Sequence, residues 1–413
     1  MGSILNFIKL PNVEFNGEGL VYSSKDNVPL FHQSVFENWL SGTNYNVSNQ
    51  YEEGKKNIFF IECHQGLDNF YKKDGNTNKT ILETLPSDLM SKIKLGKCKI
   101  LLTSLAETTS FDYSILNKIE KEIKKFDIDV KNLIIIESNF RYTEEPTQFK
   151  IFGSNHYFIH SANTFEILGK YTTDLGYDIS IPSYNEARKG IRKKHFLCFM
   201  RNTQRFHRHY LLLFLRHEGL LDKFIISAIR KIDKEYSEQT HGEKLKHLTQ
   251  YVDEINQLIP IEIDTHGLEN KMGFSTLNCY RKEEYLDSYI HIVTETSFED
   301  DNLFFTEKIS KPLIGLQPFI VFSNKGYLKK LKEFGFKTYD SIIDESYDDE
   351  PDNVERFMKI TNEIKKLANL SISDLHNLYI SVLDICIYNR NHLRKIYKED
   401  MMLKNIKVIE NEW

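Results

Sequence analysis

In the first half of the chain, short apolar runs of strand type alternate with a stretch of helical periodicity. The runs 57–61, 98–103 and 133–136 are rich in Ile, Leu and Phe, and polar residues follow each of them at once. Between the last two runs, residues 113–126 place apolar side chains at the spacing of one helix face. Strands that alternate with amphipathic helices predict a parallel sheet with helices packed on it. The polar clusters are then expected at one edge of that sheet, where α/β domains bind ligands.

The same alternation restarts near residue 195, after a basic stretch at 180–194 that we interpret as an interdomain linker. Further strands are predicted at 195–200, 223–228, 261–263, 289–293 and 318–322, with helices at 205–216, 282–288, 307–316, 327–334, 353–367 and 373–387. We therefore predict an α/β fold of two Rossmann-like parallel-sheet domains that face each other across a cleft, followed by C-terminal helices. The expected bounds are 1–185, 186–385 and 386–413.

The composition is that of a globular protein, with 40% hydrophobic and 27% charged residues. The net charge of −5 does not favour nucleic-acid binding by the whole molecule. The sequence contains no run of 18 apolar residues and no basic-then-apolar signal at its start, so we expect no transmembrane segment and a cytoplasmic location. The five cysteines form no CxxC pair, which favours reduced core thiols over a zinc site or disulfides.

The predicted strand 195–200 ends in a cluster suited to an anion. Arg201 follows it directly, and Asn202 or Thr203 can cap the helix that comes next. Backbone N–H groups at that helix start and the Arg201 guanidinium would then converge on one point, which suits a pyrophosphate. Arg205 and Arg208 lie on the first turn of the same helix and can add positive charge. The alternative is that these arginines are solvated surface residues.

The segment between the predicted strands 289–293 and 318–322 carries a second cluster. Thr306 is a candidate N-cap, which places Glu307 in the first helical turn, and Lys308 and Lys311 share one helix face. Lysines near a helix N-terminus are electrostatically unfavourable, so their presence argues for a bound anion. Glu307 can bind the two hydroxyls of a ribose, although a carboxylate at a helix start also has a purely structural explanation. A carboxylate for hydroxyls beside an ammonium for phosphate suits a nucleotide-sugar.

The run Thr-Glu-Lys-Ile-Ser-Lys-Pro at 306–312, followed by Pro-Phe-Ile-Val-Phe at 318–322, resembles the donor-binding motif of the α-1,3-fucosyltransferase family and related viral, phage and bacterial glycosyltransferases of GT-B fold. The resemblance covers mainly 195–216 and 285–360. It implies an inverting transfer from a nucleotide-diphosphate sugar, with no cofactor. It also implies a location in the cytoplasm, that of the host if the protein is viral.

The resemblance further implies a role for individual side chains. Glu307 would bind the ribose, Lys308 and Arg201 the diphosphate, and Glu295 would face the donor sugar or, alternatively, orient a nearby lysine. Fixed cations would replace a metal in stabilising the leaving diphosphate, so no metal is expected to be required. The acidic runs 299–301 and 348–350 are accordingly interpreted as solvated loops rather than metal sites.

An inverting transfer also needs a base for the proton of the acceptor hydroxyl. Three carboxylates follow predicted strands of the first domain, namely Glu62, Glu107 and Glu137. We favour Glu107, because it follows a buried strand in a small polar loop, although each of the three can instead cap a helix. His156 and His160 lie in an aromatic and β-branched stretch and are interpreted as structural.

The sequence therefore predicts a metal-independent inverting glycosyltransferase that acts on an acceptor hydroxyl, with a glycan as the first candidate. Two alternatives stay open. One is transfer to hydroxylated DNA bases, suggested by 188–208, where 21 residues include eight Lys or Arg and no acid. The other is a non-catalytic nucleotide- or glycan-binding protein of the same fold.

Overall fold

A computed structural model describes residues 5–8, 43–63, 67–71, 73, 78–105, 112–144, 146–154, 180–200, 205–228, 231, 251–259, 282–299, 301–399, 401–411 and 413. The chain divides into two compact units. Unit 1 is built from Met1–Tyr157, Asp300–Phe305 and Glu399–Trp413, and unit 2 from Phe158–Glu299 and Thr306–Lys398.

Unit 1 contains a parallel sheet of six strands in the order β2-β1-β3-β4-β5-β6. The strands are β1 Leu5–Ile8, β2 Asn46–Ser48, β3 Lys56–Glu62, β4 Cys98–Ser104, β5 Leu133–Glu137 and β6 Lys150–Gly153. The register pairs Glu62 with Thr103 and Ser104 with Glu137, so the carboxyl ends of these three strands line up at one edge.

Both faces of this sheet are covered, which explains why its central strands are apolar almost throughout. One face packs with the helices α1 Ser87–Lys94 and α2 Ser114–Lys125, through residues such as Ile93 and Ile119. The short helix α3 is Arg141–Glu144. The other face packs with Met402, Ile406 and Ile409 of the last helix.

Unit 2 contains a parallel sheet of four strands in the order β10-β9-β7-β8. The strands are β7 Lys194–Met200, β8 Phe224–Ala228, β9 Ser288–Thr294 and β10 Phe319–Phe322. The helices are α4 Tyr184–Arg188, α5 Phe206–His217, α6 Val252–Leu258, α7 Lys282–Asp287, α8 Glu307–Gly315, α9 Tyr327–Glu333, α10 Asn353–Ala368 and α11 Ile372–Glu399, and α12 Met401–Asn411 follows in unit 1.

The predicted fold class of two parallel-sheet α/β domains with C-terminal helices is confirmed, and the cleft between them remains a prediction. Most predicted strands and helices agree with the structure to within two residues at each end, whereas the proposed strand 261–263 lies outside the described residues. The units divide the chain differently from the expected bounds. Helix α11 runs without interruption through residue 386, and α12 packs on the sheet of unit 1 rather than forming a separate tail.

Residues 180–194, interpreted as a linker, are partly a packed element of unit 2. Ser183 and Glu186 form a reciprocal capping box at the start of α4. The Arg192 guanidinium is buried over the ring of Tyr379, 3.9 Å from its centre, and donates to main-chain carbonyls. This stretch therefore anchors the chain to β9.

Four of the five cysteines, Cys63, Cys98, Cys198 and Cys386, are buried free thiols, as predicted, and Cys279 lies outside the described residues. Burial raises the pKa of the Cys98, Cys198 and Cys386 thiols to about 12. In the part of the chain that is described, no single helix is long and apolar enough to cross a membrane; α10 and the segment Ile372–Asn411 pass that test only together, bent by 115°.

Candidate functional site

The helix α8 begins where the sequence predicts and has the predicted cap. Thr306 has extended backbone dihedrals, and its hydroxyl accepts a hydrogen bond from the Lys308 amide at 3.2 Å. Glu307 is therefore the first helical residue, where the positive end of the helix dipole favours a carboxylate. The Thr-Glu-Lys sequence thus places a carboxylate and an ammonium on one turn, directly after the loop that leaves β9.

The Glu307 side chain is buried, with 1% of the residue exposed. Its Oε1 lies 3.1 Å from the Lys308 Nζ, whereas its Oε2 has no hydrogen-bond partner among the residues that the structure describes. A buried carboxylate oxygen without a donor is costly, because it has lost its water. A ligand with hydroxyl groups would supply the missing donor.

Among the described residues, at least three oxygens contact the Lys308 ammonium. Its Nζ donates to the hydroxyls of Thr296 and Thr306, both at 3.2 Å, and pairs with Glu307 at 3.1 Å. An ammonium has three N–H donors, so an anion that binds here would replace or share one of these acceptors. The neutral hydroxyls are weaker acceptors than the carboxylate, so we expect the anion to displace a hydroxyl rather than Glu307.

Lys311 has different contacts from Lys308. Its Nζ lies 5.6 Å from the centre of the Phe199 ring, at a cation–π distance. Burial, together with the nearby Lys311 charge, lowers the pKa of His291 to about 3. The two lysines share a helix face as predicted, and a common phosphate for them stays a prediction.

Glu295, which follows β9, lies at the centre of a buried hydrogen-bond network. Its Oε2 accepts from the Thr306 hydroxyl at 2.5 Å, and its Oε1 accepts from the Tyr327 hydroxyl at 2.6 Å. Burial raises the pKa of Glu295, while the Lys308 charge and these two donors oppose the rise. Glu295 is 2% exposed, and both of its oxygens are engaged within the protein.

Helix α5 supports the same loop from the other side. The Nη2 of the buried Arg208 donates to the carbonyls of Thr294 at 2.8 Å and Glu295 at 3.1 Å. The Nε2 of His207 lies 2.9 Å from the Glu295 carbonyl. A carbonyl only accepts, so this nitrogen carries the proton. Burial, and then the Arg208 charge, lowers the pKa of His207 well below its usual range, so the ring is neutral.

A second loop, after β10, is fixed by two further side chains. Asp348 accepts from the amides of Leu328 at 2.8 Å and Lys329 at 2.9 Å, which caps the start of α9. Arg356 is buried and donates to the carbonyls of Ser323 and Phe298, so it ties the loop after β10 to the loop after β9. The interpretation of 348–350 as a solvated loop is wrong for Asp348, which is buried because it caps a helix.

Sequence reasoning missed Tyr327, His207 and Arg356. Tyr327 reads locally as the first residue of an amphipathic helix, and its bond to Glu295 spans 32 positions. No sequence pattern marks Tyr327 as a partner of Glu295; its role is visible only once the structure shows that its hydroxyl is buried.

Arg201, the strongest predicted phosphate ligand, lies outside the described residues. Arg205 occupies the N-cap position of α5, where its backbone is extended and its side chain is half-buried. The first turn of α5 follows it, at the same sheet edge as Glu295. Binding of a diphosphate by these groups stays a prediction.

The three candidate bases of unit 1 differ in their surroundings. Glu107 lies outside the described residues, as do His156 and His160. Glu62 is the last residue of β3 and is half-buried. Glu137 is fully buried, and its Oε1 accepts from the Asn139 amide at 3.1 Å. Burial raises the pKa of Glu137 to about 8, against the opposing effect of the Asn139 amide and the Ser104 hydroxyl.

No group of three or more His, Cys, Asp or Glu side chains within the described ranges is placed to hold a metal ion. In the acidic run 299–301, Glu299 and Asp301 are exposed, as predicted. Independence of a metal stays a prediction.

The basic run 188–208 is not one open face. Its described members include the exposed pairs of Arg188 with Asp384 and Lys193 with Asp287, the bond of Lys194 to the Asp222 carbonyl, and the buried Arg192 and Arg208. Most of these charges are therefore already engaged by unit 2, which leaves little of the run for a phosphate backbone.

No protein-family model matches this chain, and no curated protein matches it. Among solved structures it is similar to the α,α-trehalose-6-phosphate synthase of Burkholderia multivorans, with 10% identity and a TM-score of 0.37 over 87% of this chain and 72% of that one. The UDP-forming α,α-trehalose-phosphate synthase of Burkholderia vietnamiensis gives 11% identity and a TM-score of 0.35 over 84% and 72%. The N-terminal domain of Candida albicans trehalose-6-phosphate phosphatase gives 12% and 0.37 over 84% and 70%. At these values, function has to be argued from the side chains of this chain itself.

Proposed function

We propose that this chain is a glycosyltransferase that binds a nucleotide-diphosphate sugar in unit 2 and transfers the sugar to an acceptor hydroxyl, a glycan first, with inversion and without a required metal. The observation that carries the proposal is the Glu307 carboxylate. It is buried at the first turn of α8, with Oε2 lacking a partner in the described part of the chain and Lys308 beside it. A free carboxylate oxygen for hydroxyls beside an ammonium for negative charge matches the ribose and diphosphate of a nucleotide, and a nucleotide-sugar is the member of that class that a glycosyltransferase uses.

The donor would be bound by complementary chemistry at the edge of the second sheet. The vicinal hydroxyls of a ribose donate to Glu307 and satisfy its Oε2. The negative charge of the diphosphate would be compensated by Lys308, Arg205 and Arg201, and by the N-terminus of α5. Because oxygens of Thr296, Thr306 and Glu307 hold the Lys308 ammonium, it would stabilise the leaving diphosphate with little reorganisation.

In the transfer, the acceptor oxygen attacks the anomeric carbon on the face opposite the diphosphate. The bond from that carbon to the diphosphate oxygen breaks, and its electron pair leaves with the nucleoside diphosphate. The hydroxyl proton passes to a carboxylate of unit 1. We keep Glu107 as the first candidate and Glu62 as the second. Glu137 is less suited, since it is fully buried and its pKa of about 8 keeps it mostly protonated at neutral pH.

The test is a thermal-shift and calorimetry panel of nucleoside diphosphates in the presence of a chelator. At 100 times its dissociation constant, a matching ligand should stabilise the protein by about 2.7 kcal/mol. Glu307→Gln should lose this effect, whereas the control Glu355→Gln, an exposed carboxylate on α10, should keep it.

Turnover is then measured as release of the nucleoside diphosphate with a panel of glycan and hydroxymethylated-DNA acceptors. Binding without release under any acceptor would favour a non-catalytic binding protein. A wild-type protein that binds none of the nucleoside diphosphates or their sugars would overturn the proposal.

A further inference from the structure

Glu295 lies at the sheet edge where residues that bind the donor sugar are expected, but its surroundings are those of a buried structural residue. It follows β9 at the sheet edge, yet its carboxylate is 2% exposed. Thr306 and Tyr327 each donate to one of its oxygens, at 2.5 Å and 2.6 Å. A sugar hydroxyl could reach this carboxylate only by displacing one of these short, charge-assisted bonds.

We propose that Glu295 is a positioning residue, which sets the first turn of α8 through Thr306 and sets its distance from α9 through Tyr327, and that it does not contact the donor. The proposal rests on the proposed function, because it concerns how the donor-binding turn is held. It replaces the expectation that Glu295 faces the donor sugar.

The first step of this coupling is the orientation of a single hydroxyl. Thr306 has one hydroxyl hydrogen and two lone pairs. Both the backbone amide and the Nζ of Lys308 donate to its oxygen, each at 3.2 Å. The hydrogen therefore has to point away from Lys308, and Glu295 is its acceptor. Without that acceptor the hydroxyl would lose its fixed orientation.

In the second step, the orientation of the Thr306 hydroxyl fixes the side chains that would bind the donor. Thr306 caps the helix through the Lys308 amide and also holds the Lys308 ammonium. That ammonium in turn pairs with Oε1 of Glu307 at 3.1 Å, which leaves Oε2 as the oxygen without a partner within the described ranges. Three consecutive contacts thus connect Glu295 to the carboxylate that would bind ribose.

The third step is electrostatic. Glu295 and Glu307 are two carboxylates near one ammonium. Burial, and to a lesser degree the charge of Glu307, raises the pKa of Glu295, which Lys308 opposes. A neutral Glu295 would leave the direct attraction between Lys308 and Glu307 unchanged, but it would remove the attraction of Glu295 itself for the ammonium. The position of Lys308 between the two carboxylates therefore depends on the charge of Glu295, even without contact of Glu295 to the ligand.

The fourth step fixes the spacing between two helices. Tyr327 is the first residue of α9, is 1% exposed, and bonds to Glu295 across the ends of the neighbouring strands β9 and β10. Glu295 is therefore the shared partner of the starts of α8 and α9.

The experiment first identifies the nucleoside diphosphate that the wild type binds. Calorimetry then measures the affinity of each variant for this nucleoside diphosphate and for the corresponding nucleotide-sugar. Glu295→Gln and Tyr327→Phe should weaken both ligands by the same factor, about five- to tenfold. Their effects should be less than additive in the double variant, because both act through one network. Loss of affinity for the nucleotide-sugar alone would mean that Glu295 touches the sugar, and would overturn the proposal.

A readout without ligand separates this proposal from the proposed function. Hydrogen exchange of the first turn of α8 should quicken about five- to tenfold in Glu295→Gln and Thr306→Val, and stay near the wild-type rate in Thr306→Ser, which keeps the hydroxyl. Unchanged exchange in Glu295→Gln would overturn the positioning role. Altered exchange in a protein that binds no nucleotide would instead reject the proposed function. Tyr327→Phe removes only a hydroxyl and covers the case in which Glu295→Gln fails to fold.

Discussion

The hydroxyl of Tyr327 donates to Oε1 of Glu295 across 2.6 Å and joins the residue after β9 to the first residue of α9. Both side chains are buried. Burial, and then the charge of Glu295, raises the pKa of Tyr327 well above its usual range, so the phenol is a neutral donor at neutral pH. The bond therefore needs no ligand to form, and the edge of the second sheet is organised before anything binds there.

Replacing either proposed diphosphate ligand should weaken nucleotide binding. For Lys308→Ala and Arg201→Ala, the loss of a charge-assisted contact is expected to cost about 1.5–3 kcal/mol of nucleoside diphosphate affinity. Calorimetric titration measures this change. The control Lys124→Ala removes an exposed lysine of α2 that is ion-paired with Glu120, and its titration should match the wild type. Equal affinities in all four proteins would reject the site.

Glu137→Gln should change how stability depends on pH. The pKa of Glu137 is about 8 in the folded state and near its ordinary 4.5 when unfolded. Between these values the folded protein holds a proton that the unfolded chain has released, so stability falls as pH rises through this window and levels off above it. Glutamine imitates the protonated form and does not titrate. The variant should therefore gain stability relative to the wild type, by roughly 2–5 kcal/mol between about pH 5 and pH 9.

Urea unfolding followed by tryptophan fluorescence measures this gain, since both tryptophans, at positions 39 and 413, fall within the sequence bounds of unit 1. Glu53→Gln, at an exposed carboxylate of the same unit, should show no such trend. A stability difference that stays constant with pH in Glu137→Gln would show that the buried carboxyl does not hold its proton.

Two glycines that follow helix ends should differ sharply in their tolerance of alanine. Gly335 and Gly219 both have positive φ, of +86° and +67°, so alanine costs about 1 kcal/mol at either position. At Gly335, however, the new Cβ would lie 2.6 Å from Nε2 of His392, which is itself bonded to the Phe334 carbonyl. At Gly219 no atom of the described residues lies within 4 Å of the new Cβ.

Gly335→Ala should therefore lose about 1–3 kcal/mol more than Gly219→Ala in denaturant unfolding. Introducing His392→Ala beside Gly335→Ala should recover part of that difference. Equal losses at the two glycines would show that the clash is relieved without cost.

Arg192→Met should destabilise unit 2 far more than Arg188→Met, although the two lie four positions apart in one basic run. The Arg192 guanidinium donates to the carbonyls of Ala187, Tyr285 and Ser288, and methionine would remove all three of these buried bonds. The Gln317 side chain would still donate to the carbonyls of Tyr285 and Ser288. The expected cost is about 2–4 kcal/mol. Among the described residues, the contact of Arg188 is an exposed pair with Asp384 at 3.5 Å, and its loss should cost less than about 0.5 kcal/mol. Chemical unfolding distinguishes them, and similar costs would contradict the anchoring role of Arg192.

The central strands could be predicted from the sequence because they are buried on both faces, so that runs such as 133–136 are apolar throughout. The strands β1, β2 and β6 could not. Each is only three or four residues long, β2 is the polar Asn46–Ser48, and their strand state depends on pairing with neighbours rather than on their own pattern.

A similar distinction holds at the candidate site. The cap at Thr306 and the first-turn position of Glu307 are local, because a cap involves residues two or three positions apart, and both were predictable. The partners of Glu295 are 11 and 32 positions away, and no local pattern records such pairs. The residues at a helix start can thus be predicted from the sequence. The contacts that orient this helix start cannot, because they depend on the register of two strands.

The helix α12 has a consequence for the order in which this protein can be made. On one face of the first sheet, Phe7, Leu101 and Ile134 share a core with Met402 and Ile406. A ribosome that has already delivered all six strands still has some 245 residues to add before the cover for that face emerges. During this interval the sheet lacks the apolar side chains that α12 contributes, and apolar surface exposed in this way during folding favours aggregation.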